Sequence, residues 1–334
     1  MPLTNRLISA MCRLALLIVP LAALLMFTSS RLLQPVHATF PGTNGQITYG
    51  RFDPDIEDFQ IFVANPDGSH EFQLTTVPSE VSDWSPDGTR IAYDFFDGQT
   101  VQIATINPDG TGRVQLTNQE NVFSGAPAWS PDAKVLAFSS DAGNHPAGEG
   151  IYLMDASTGT VLSRVTANPF GQFDDEPRWS PDGQSITFTS VKKVNGGRRT
   201  TQVKALFVVR RDGTGLRQLT TWGSNAGNPD WSPNESEIVF ATKEDLPPAS
   251  GIWTVHPDGS SLTALVKTHA PQNFHHPKWS PDGTKVIFAG RLDPSQGANL
   301  WTVNADGSNL TKITGISGPV GFLNFPAWGT HPVQ

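Results

Sequence analysis

The sequence predicts an all-β protein, a six-bladed β-propeller built from four-stranded antiparallel blades. Three observations support this fold class. The 334 residues include 27 prolines and 31 glycines that recur between apolar runs, which is typical of a turn-rich β-fold. A Trp-Ser-Pro-Asp-Gly motif repeats about every 50 residues, a period that four-stranded propeller blades share. The two ends of the chain each carry part of one further repeat.

The opening strand of each repeat ends at a tryptophan. These tryptophans are Trp84, Trp129, Trp179, Trp231, Trp279 and, in a truncated last copy, Trp328. Because a residue that recurs in every blade serves what all blades share, we predict that the tryptophans are structural and pack between blades.

The rest of each repeat supplies three more strands. An aliphatic and an aromatic residue follow each of the first five tryptophans after seven and nine positions, as Ile186 and Phe188 follow Trp179, and this spacing places both on one face of a strand. A second apolar run then leads into an Asp-Gly turn such as Asp212-Gly213, a hairpin signal. A short last strand often ends in Leu-Thr.

The chain ends complete one blade together. Residues 44–76 lack the opening tryptophan strand, and residues 322–328 form an opening strand with no repeat after it. Pairing the C-terminal strand with the N-terminal blade would close the ring and remove exposed sheet edges. The sequence therefore predicts six blades, with blade 1 built from both ends of the chain.

The N-terminal region has the features of a signal peptide. Three arginines and no acidic residue accompany 14 apolar residues from Leu14 to Phe27, too short a run to span a bilayer. Val36-His37-Ala38 offers a cleavage site before Thr39. We predict a signal peptide at 1–38 and a propeller at 39–334, secreted or periplasmic and without a membrane span. The alternative is an uncleaved N-terminal membrane anchor.

Composition excludes several kinds of function. The chain has 23 Lys and Arg against 31 Asp and Glu, which disfavours nucleic-acid binding. A single cysteine excludes a disulfide framework and a cysteine-based zinc site. We predict a monomer with no cofactor, no bound metal and no catalytic residues.

Binding residues are expected where the blades differ, on the face formed by the second-to-third-strand loops and the blade connections. We call this the funnel face. Residues just before each tryptophan should surround its central mouth, and the predicted partner-binding set is Glu80, Asp174, Asp175, Glu176, Asn228, His275, His276, Asn324 and Phe325. The histidine pair is a weak metal signal because neighbours on a strand point in opposite directions. The simpler interpretation of this set is a hydrated polar funnel.

Two charged loops are predicted on the same face, on opposite blades. Blade 1 carries Asp53, Asp55, Glu57 and Asp58, and blade 4 carries Lys192, Lys193, Arg198 and Arg199. An acidic side and a basic side would orient an incoming partner. The alternative is that both loops are simply solvated.

The repeat resembles the WD40-like propeller repeat of the TolB family, and it is similar to the propellers of prolyl oligopeptidase-like and tricorn-like proteins. The residues that carry the resemblance are Trp-Ser-Pro-Asp-Gly, Pro-Asp-Gly and Gln-Leu-Thr, over about residues 40–330. TolB has an α/β domain before its propeller, and the oligopeptidases have a hydrolase domain. Here the repeats directly follow the apolar segment, and no Gly-x-Ser-x-Gly motif is present, so we expect neither domain.

These observations favour a non-enzymatic binding scaffold of the cell envelope or extracellular space. It would recognise a protein partner, or a glycan, at the funnel face, and the TolB resemblance implies envelope protein interactions. The alternative is a propeller enzyme, lyase-like or hydrolase-like, that acts on an acidic polysaccharide through a histidine or metal site at the funnel mouth.

Overall fold

The structure is a computed structural model that describes residues 42–141, 148–167, 172–195, 200–242, 250–268, 272–293, 295, 297–313 and 323–331. The predicted signal peptide, Arg198 and Arg199 lie outside these ranges. Within them, no helix reaches the length and apolar character that crossing a bilayer requires.

The described ranges contain 24 strands in six four-stranded antiparallel sheets. Blade 1 contains β1 (Asn44–Asp53), β2 (Asp58–Ala64), β3 (Phe72–Gln73) and, from the C-terminus, β24 (Leu323–Thr330). Blade 2 contains β4 (Ser82–Trp84), β5 (Ile91–Phe96), β6 (Val101–Ile106) and β7 (Val114–Gln115). Blade 3 contains β8 (Ser124–Trp129), β9 (Val135–Ser140), β10 (Gly150–Asp155) and β11 (Val161–Arg164).

The second half of the ring repeats the pattern. Blade 4 contains β12 (Gln172–Trp179), β13 (Ser185–Asn195), β14 (Thr200–Arg210) and β15 (Arg217–Gln218). Blade 5 contains β16 (Gly227–Trp231), β17 (Ile238–Thr242), β18 (Gly251–Val255) and β19 (Thr263–Lys267). Blade 6 contains β20 (Asn273–Trp279), β21 (Lys285–Arg291), β22 (Asn299–Asn304) and β23 (Thr311–Lys312). The predicted six-bladed fold is confirmed.

The ring closes in blade 1 as predicted. Strand β24 pairs antiparallel with β1, with Trp328 opposite Ile47 and Ala327 opposite Thr48. Asn44 also joins blade 1 to blade 6, since its Nδ2 donates to Asp282 Oδ2 at 3.0 Å and its Oδ1 accepts from Asp282 N at 3.2 Å. Both chain ends thus support one sheet.

The hydrophobic core lies between neighbouring blades. Trp179 of blade 4 packs in one buried cluster with Ala128 and Leu153 of blade 3, and its Nε1 donates to the Ala128 carbonyl at 3.2 Å. The motif tryptophans of blades 2 to 6 are all buried, and Trp328 is partly buried. The repeated tryptophans therefore occupy the inter-blade packing positions.

The serine and aspartate of the repeated motif build the turn after the inner strand in blades 2, 3, 4 and 6, and Ser232 and Asn234 do so in blade 5. In blade 4, Ser180 Oγ donates to Asp182 Oδ1 at 2.5 Å, and Asp182 Oδ1 also accepts from Gln184 N at 2.9 Å. Ser180 Oγ then accepts from Ser185 N at 2.9 Å. These side chains replace backbone partners in a tight turn, which explains why the motif recurs.

A β-bulge interrupts the inner strand in five of the six blades. The bulged residue adopts a left-handed backbone, with φ of 50° at Ala126, 56° at Glu176, 57° at Asn228, 53° at His276 and 43° at Phe325. The strand register shifts at each of these sites. A bulge re-aims one side chain and bends the strand, so it decides which residue reaches the funnel.

Glycine at position 329 permits the closure. A Cβ atom placed there would lie 2.5 Å from Trp84 Cδ2, an atom of a buried and rigid ring. We therefore expect Gly329→Ala to lower the free energy of unfolding by about 1–3 kcal/mol, measured by urea denaturation. Gly50→Ala is the matched control, because its Cβ would meet nothing closer than 3.4 Å. Equal effects of the two substitutions would contradict this packing.

Candidate functional site

Four predicted binding residues contact one another in a chain around the funnel mouth. Glu176 Oε2 accepts from Asn228 N at 2.9 Å, and Glu176 Oε1 accepts from Asn228 Nδ2. Asn228 Oδ1 accepts from His276 N at 3.4 Å. The His276 ring stacks on Phe325 with the centroids 3.6 Å apart. These bulge residues join blades 4, 5, 6 and 1, and we call them the funnel ring.

The expectation that His275 and His276 point in opposite directions is wrong. Their Nδ1 atoms lie 2.9 Å apart, and the rings meet edge to face. The bulge at His276 is the cause, because a residue with a φ of 53° breaks the alternation of a regular strand. Among the described residues, no group of three or more His, Cys, Asp or Glu side chains could hold a metal ion.

Sequence reasoning missed a buried group of charges beneath the funnel ring. It consists of the residue just before the tryptophan in four blades, and we call Asp83, Arg178, Asp230 and Lys278 the channel charge cluster. Lys278 Nζ lies 3.2 Å from Asp230 Oδ1, and Arg178 Nε lies 3.9 Å from the same oxygen. A cavity of only about 20 Å³ separates the two layers.

Burial and neighbouring charges shift the pKa values of Asp83 and Lys278. Burial raises the pKa of Asp83, and the cations of Arg178 and Lys278 oppose that shift. Burial lowers the pKa of Lys278 to about 8, with Arg178 adding to the shift and Asp230 opposing it. The aspartates also accept backbone hydrogen bonds, from Trp129 N to Asp83 Oδ2 and from Trp279 N to Asp230 Oδ2, each 2.8 Å long. Two acids and two bases therefore fill the channel with balanced charge.

A larger cavity of about 330 Å³ opens at the funnel mouth beside blades 2 and 3. It exists because the inward positions there are small, Val81 and Ala126, whereas the funnel ring fills the mouth over the other blades. We call it the blade 2–3 cavity. Its apolar lining includes Val81, Phe95, Phe96, Val101, Phe123, Ala126 and Phe325. Its carboxylate lining is Asp58, Glu80, Asp94, Asp175 and Glu176.

The predicted binding residues reach this cavity to different degrees. Glu80, Asp175, Glu176 and Phe325 line it, and Asn324 Nδ2 donates to Glu80 Oε1 at 2.9 Å. Asp174 is 1% exposed and therefore lies away from any surface that a partner could touch. The cavity is also lined by Phe95, Phe96 and Phe123, which were not among the residues predicted from the sequence.

Three of the cavity carboxylates, Glu80, Asp94 and Asp175, have pKa values above their ordinary range. Burial, followed by the charge of Asp94, raises the pKa of Glu80 to about 7. Burial, followed by the charge of Glu176, raises the pKa of Asp175 to about 6. Burial also raises the pKa of Asp94, whose carboxylate accepts backbone hydrogen bonds from Val81 and Ala126. Ionised carboxylates in this cavity therefore lower the free energy of unfolding of the protein without a partner.

Glu80→Gln is expected to stabilise the protein at pH 8 by about 3 kcal/mol, because the pKa of Glu80 is raised from 4.5 to about 7 and one pKa unit corresponds to about 1.36 kcal/mol. The folded pKa of Glu80 exceeds its ordinary value of 4.5. Its favourable contribution is therefore full below pH 4.5 and is lost as the pH rises through about 7. Urea denaturation from pH 4 to 8 should show that the wild-type protein weakens more than the variant. Glu120→Gln, at an exposed site, should change nothing, and a variant as pH-dependent as wild type would refute the assignment.

The charged loops lie on the blades that the sequence indicated. Asp53 and Asp58 pair across the β1–β2 turn, and Asp55 and Glu57 are exposed at its tip. In blade 4, Lys193 is exposed, whereas Lys192 Nζ lies 3.9 Å from the Trp222 ring centroid. Their effect on a partner stays a prediction, since Arg198 and Arg199 lie outside the described residues.

The fold and site define a closed six-bladed propeller with an acidic, aromatic cavity on its funnel face. The chain belongs to the TolB beta propeller domain family (PD40), which matches residues 45–332. The resemblance inferred from the repeats is therefore confirmed.

Individual relatives agree with this assignment. The Tol-Pal system protein TolB of Francisella tularensis subsp. tularensis (strain WY96-3418) is 27% identical over 232 residues, which cover 68% of this chain and 49% of that protein. This chain thus spans about half the length of the curated relatives it matches.

Solved structures share the fold. TolB from Acinetobacter baumannii superposes with a TM-score of 0.67 at 22% identity, covering 86% of this chain and 67% of that one. An oligogalacturonate lyase in complex with manganese superposes with a TM-score of 0.53 at 14% identity, covering 82% and 74%. At such identities the likeness concerns the fold alone.

Proposed function

We propose that this protein is an extracytoplasmic, non-enzymatic scaffold that binds a protein partner at its funnel face. The observation that carries the proposal is the blade 2–3 cavity, an aromatic and acidic recess on the face where the blades differ. Recesses of this kind, mainly apolar with a few polar groups, are the usual form of a recognition site. Membership of the TolB propeller family supports a role in the cell envelope.

The charge of the cavity favours this proposal over the lyase-like alternative. Five acidic residues line the recess, and their negative charge would repel the carboxylates of an acidic polysaccharide. A protein segment, in contrast, can present both an apolar surface and a positive charge. The predicted signal peptide at 1–38 is part of the proposal, because it would place the propeller where envelope partners are found.

Site-specific photocrosslinking in intact cells that express the full chain tests the proposal. Phe96 ends β5 on the funnel face and is 43% exposed, whereas Leu262 precedes β19 beside the Asp-Gly turn on the opposite face and is 47% exposed. A photoreactive phenylalanine analogue at residue 96 should yield one discrete protein adduct, identified by mass spectrometry. The same analogue at residue 262 is the matched control. Adducts from residue 262 alone, or equal adducts from both sites, would overturn the proposal.

A further inference from the structure

We propose that the blade 2–3 cavity binds one basic side chain, a lysine or an arginine, that the partner segment inserts. This inference rests on the proposed function, because it states which part of the partner the funnel face would recognise. It is carried by the shape of the cavity, by its aromatic lining and by its unbalanced charge.

The size of the cavity suits a single long side chain. Its volume of about 330 Å³ lies at the lower end of the range found for ligand pockets. The funnel ring and the channel charge cluster close the routes deeper into the propeller, leaving about 20 Å³ beneath the ring. A partner can therefore insert a side chain here but cannot thread a chain through the channel.

The lining matches the two parts of a basic side chain. Phe95, Phe96 and Phe123 provide apolar surface for an alkyl stem. Aromatic rings also attract cations through their negative faces. Glu80 and Asp175 supply carboxylate oxygens for an ammonium or guanidinium head group.

The charge of the cavity sets it apart from the channel below. In the channel charge cluster, Arg178 and Lys278 neutralise Asp83 and Asp230. Five carboxylates line the blade 2–3 cavity, and its lining includes no lysine, arginine or histidine among the residues the structure describes. Of these five, Asp58 is exposed and Glu176 Oε1 lies 4.0 Å from His276 Nε2. Buried charges are normally paired, so a cation from outside would pair with Glu80 and Asp175.

Two small probes that differ only in charge test the inference on the full chain. Nα-acetyl-lysine methylamide carries the ammonium group, and Nα-acetyl-norleucine methylamide carries the same stem without it. Methyl NMR signals of Val81, Val101 and Ala126 would report binding in the cavity, and Val135, which is buried outside the cavity lining, would be the reference. We expect saturable shifts with the lysine probe and about tenfold weaker binding of the norleucine probe.

Variants then locate the interaction. The double variant Glu80→Gln/Asp175→Asn should weaken lysine binding to the level of norleucine, whereas Glu120→Gln should leave it unchanged. The methyl spectrum of each variant shows that it is folded. Equal binding of both probes, absence of saturable binding to wild type, or unchanged affinity in the double variant would each overturn the inference. A funnel-face crosslink without lysine binding would refute this inference alone, and lysine binding without a crosslink would refute the proposed function.

Discussion

Deleting residues 322–334 is expected to abolish the cooperative unfolding transition of the propeller. The deletion removes all of β24, which is the inner strand of blade 1. It takes Ala327 out of the buried cluster around Trp84, and it takes Trp328 away from the cluster around Ile47. It also exposes the edge of β1. We expect the loss of a large share of the ~5–15 kcal/mol that typically separates folded from unfolded domains.

Calorimetry and urea denaturation measure this effect. A chain that lacks only residues 332–334 keeps β24 and is the appropriate control. If the longer deletion melted at the same temperature and with the same cooperativity as the control, ring closure would not be a source of stability.

Asp230→Ala is expected to lower the free energy of unfolding by about 3–5 kcal/mol, the usual result of removing one partner from a buried ion pair. Lys278 and Arg178 would remain buried without the carboxylate that both of them face as an ion pair, and Trp279 N would lose its 2.8 Å hydrogen bond. Urea denaturation at pH 7 measures the loss. Asp230→Asn keeps an oxygen acceptor at this position and should therefore lower the free energy of unfolding by less.

Two further measurements separate charge from packing. The double variant Asp230→Ala/Lys278→Met removes one charge of each sign and leaves Arg178 with Asp83, so it should be more stable than Asp230→Ala alone. The pKa of Lys278 lies below its ordinary value, so its contribution to stability is lost as the pH falls through about 8 and is restored as the pH rises toward 10.5. The deficit of Asp230→Ala should therefore shrink between pH 7 and pH 10. If the loss of stability in Asp230→Ala did not change with pH and the double variant were no more stable, the loss would come from packing and not from charge.

The repetition of local signals made the fold predictable from sequence. Trp179 and its counterparts, the Asp-Gly turns and the two partial repeats each specify a local structure that the other copies confirm. The pairing of β24 with β1 followed from the same logic, because only that pairing completes a sixth sheet. Agreement between local pattern and global fold is what makes such predictions reliable.

The site was less predictable because it depends on distances across the ring. The inward position before each tryptophan differs from blade to blade, and nothing local shows that Arg178 and Lys278 share Asp230. The histidine prediction failed for a different reason, since it assumed a regular strand at His276. A signal for the bulge was present, however: each of the five bulged residues directly precedes a proline, and Val81 of blade 2 does not.

The bulge before proline lets the inward-facing residue vary independently of the architecture of its blade. In five blades it directs one residue toward the axis, at a register shift such as the one between Asp175 and Arg178 in β12, and every blade keeps four antiparallel strands. The inward residue can be large, small, charged or aromatic, as Glu176, Ala126 and Phe325 are, while the blades keep one architecture. A change in the partner that the funnel mouth recognises therefore requires substitutions at only a few bulge positions. The tryptophans that pack between the blades need not change.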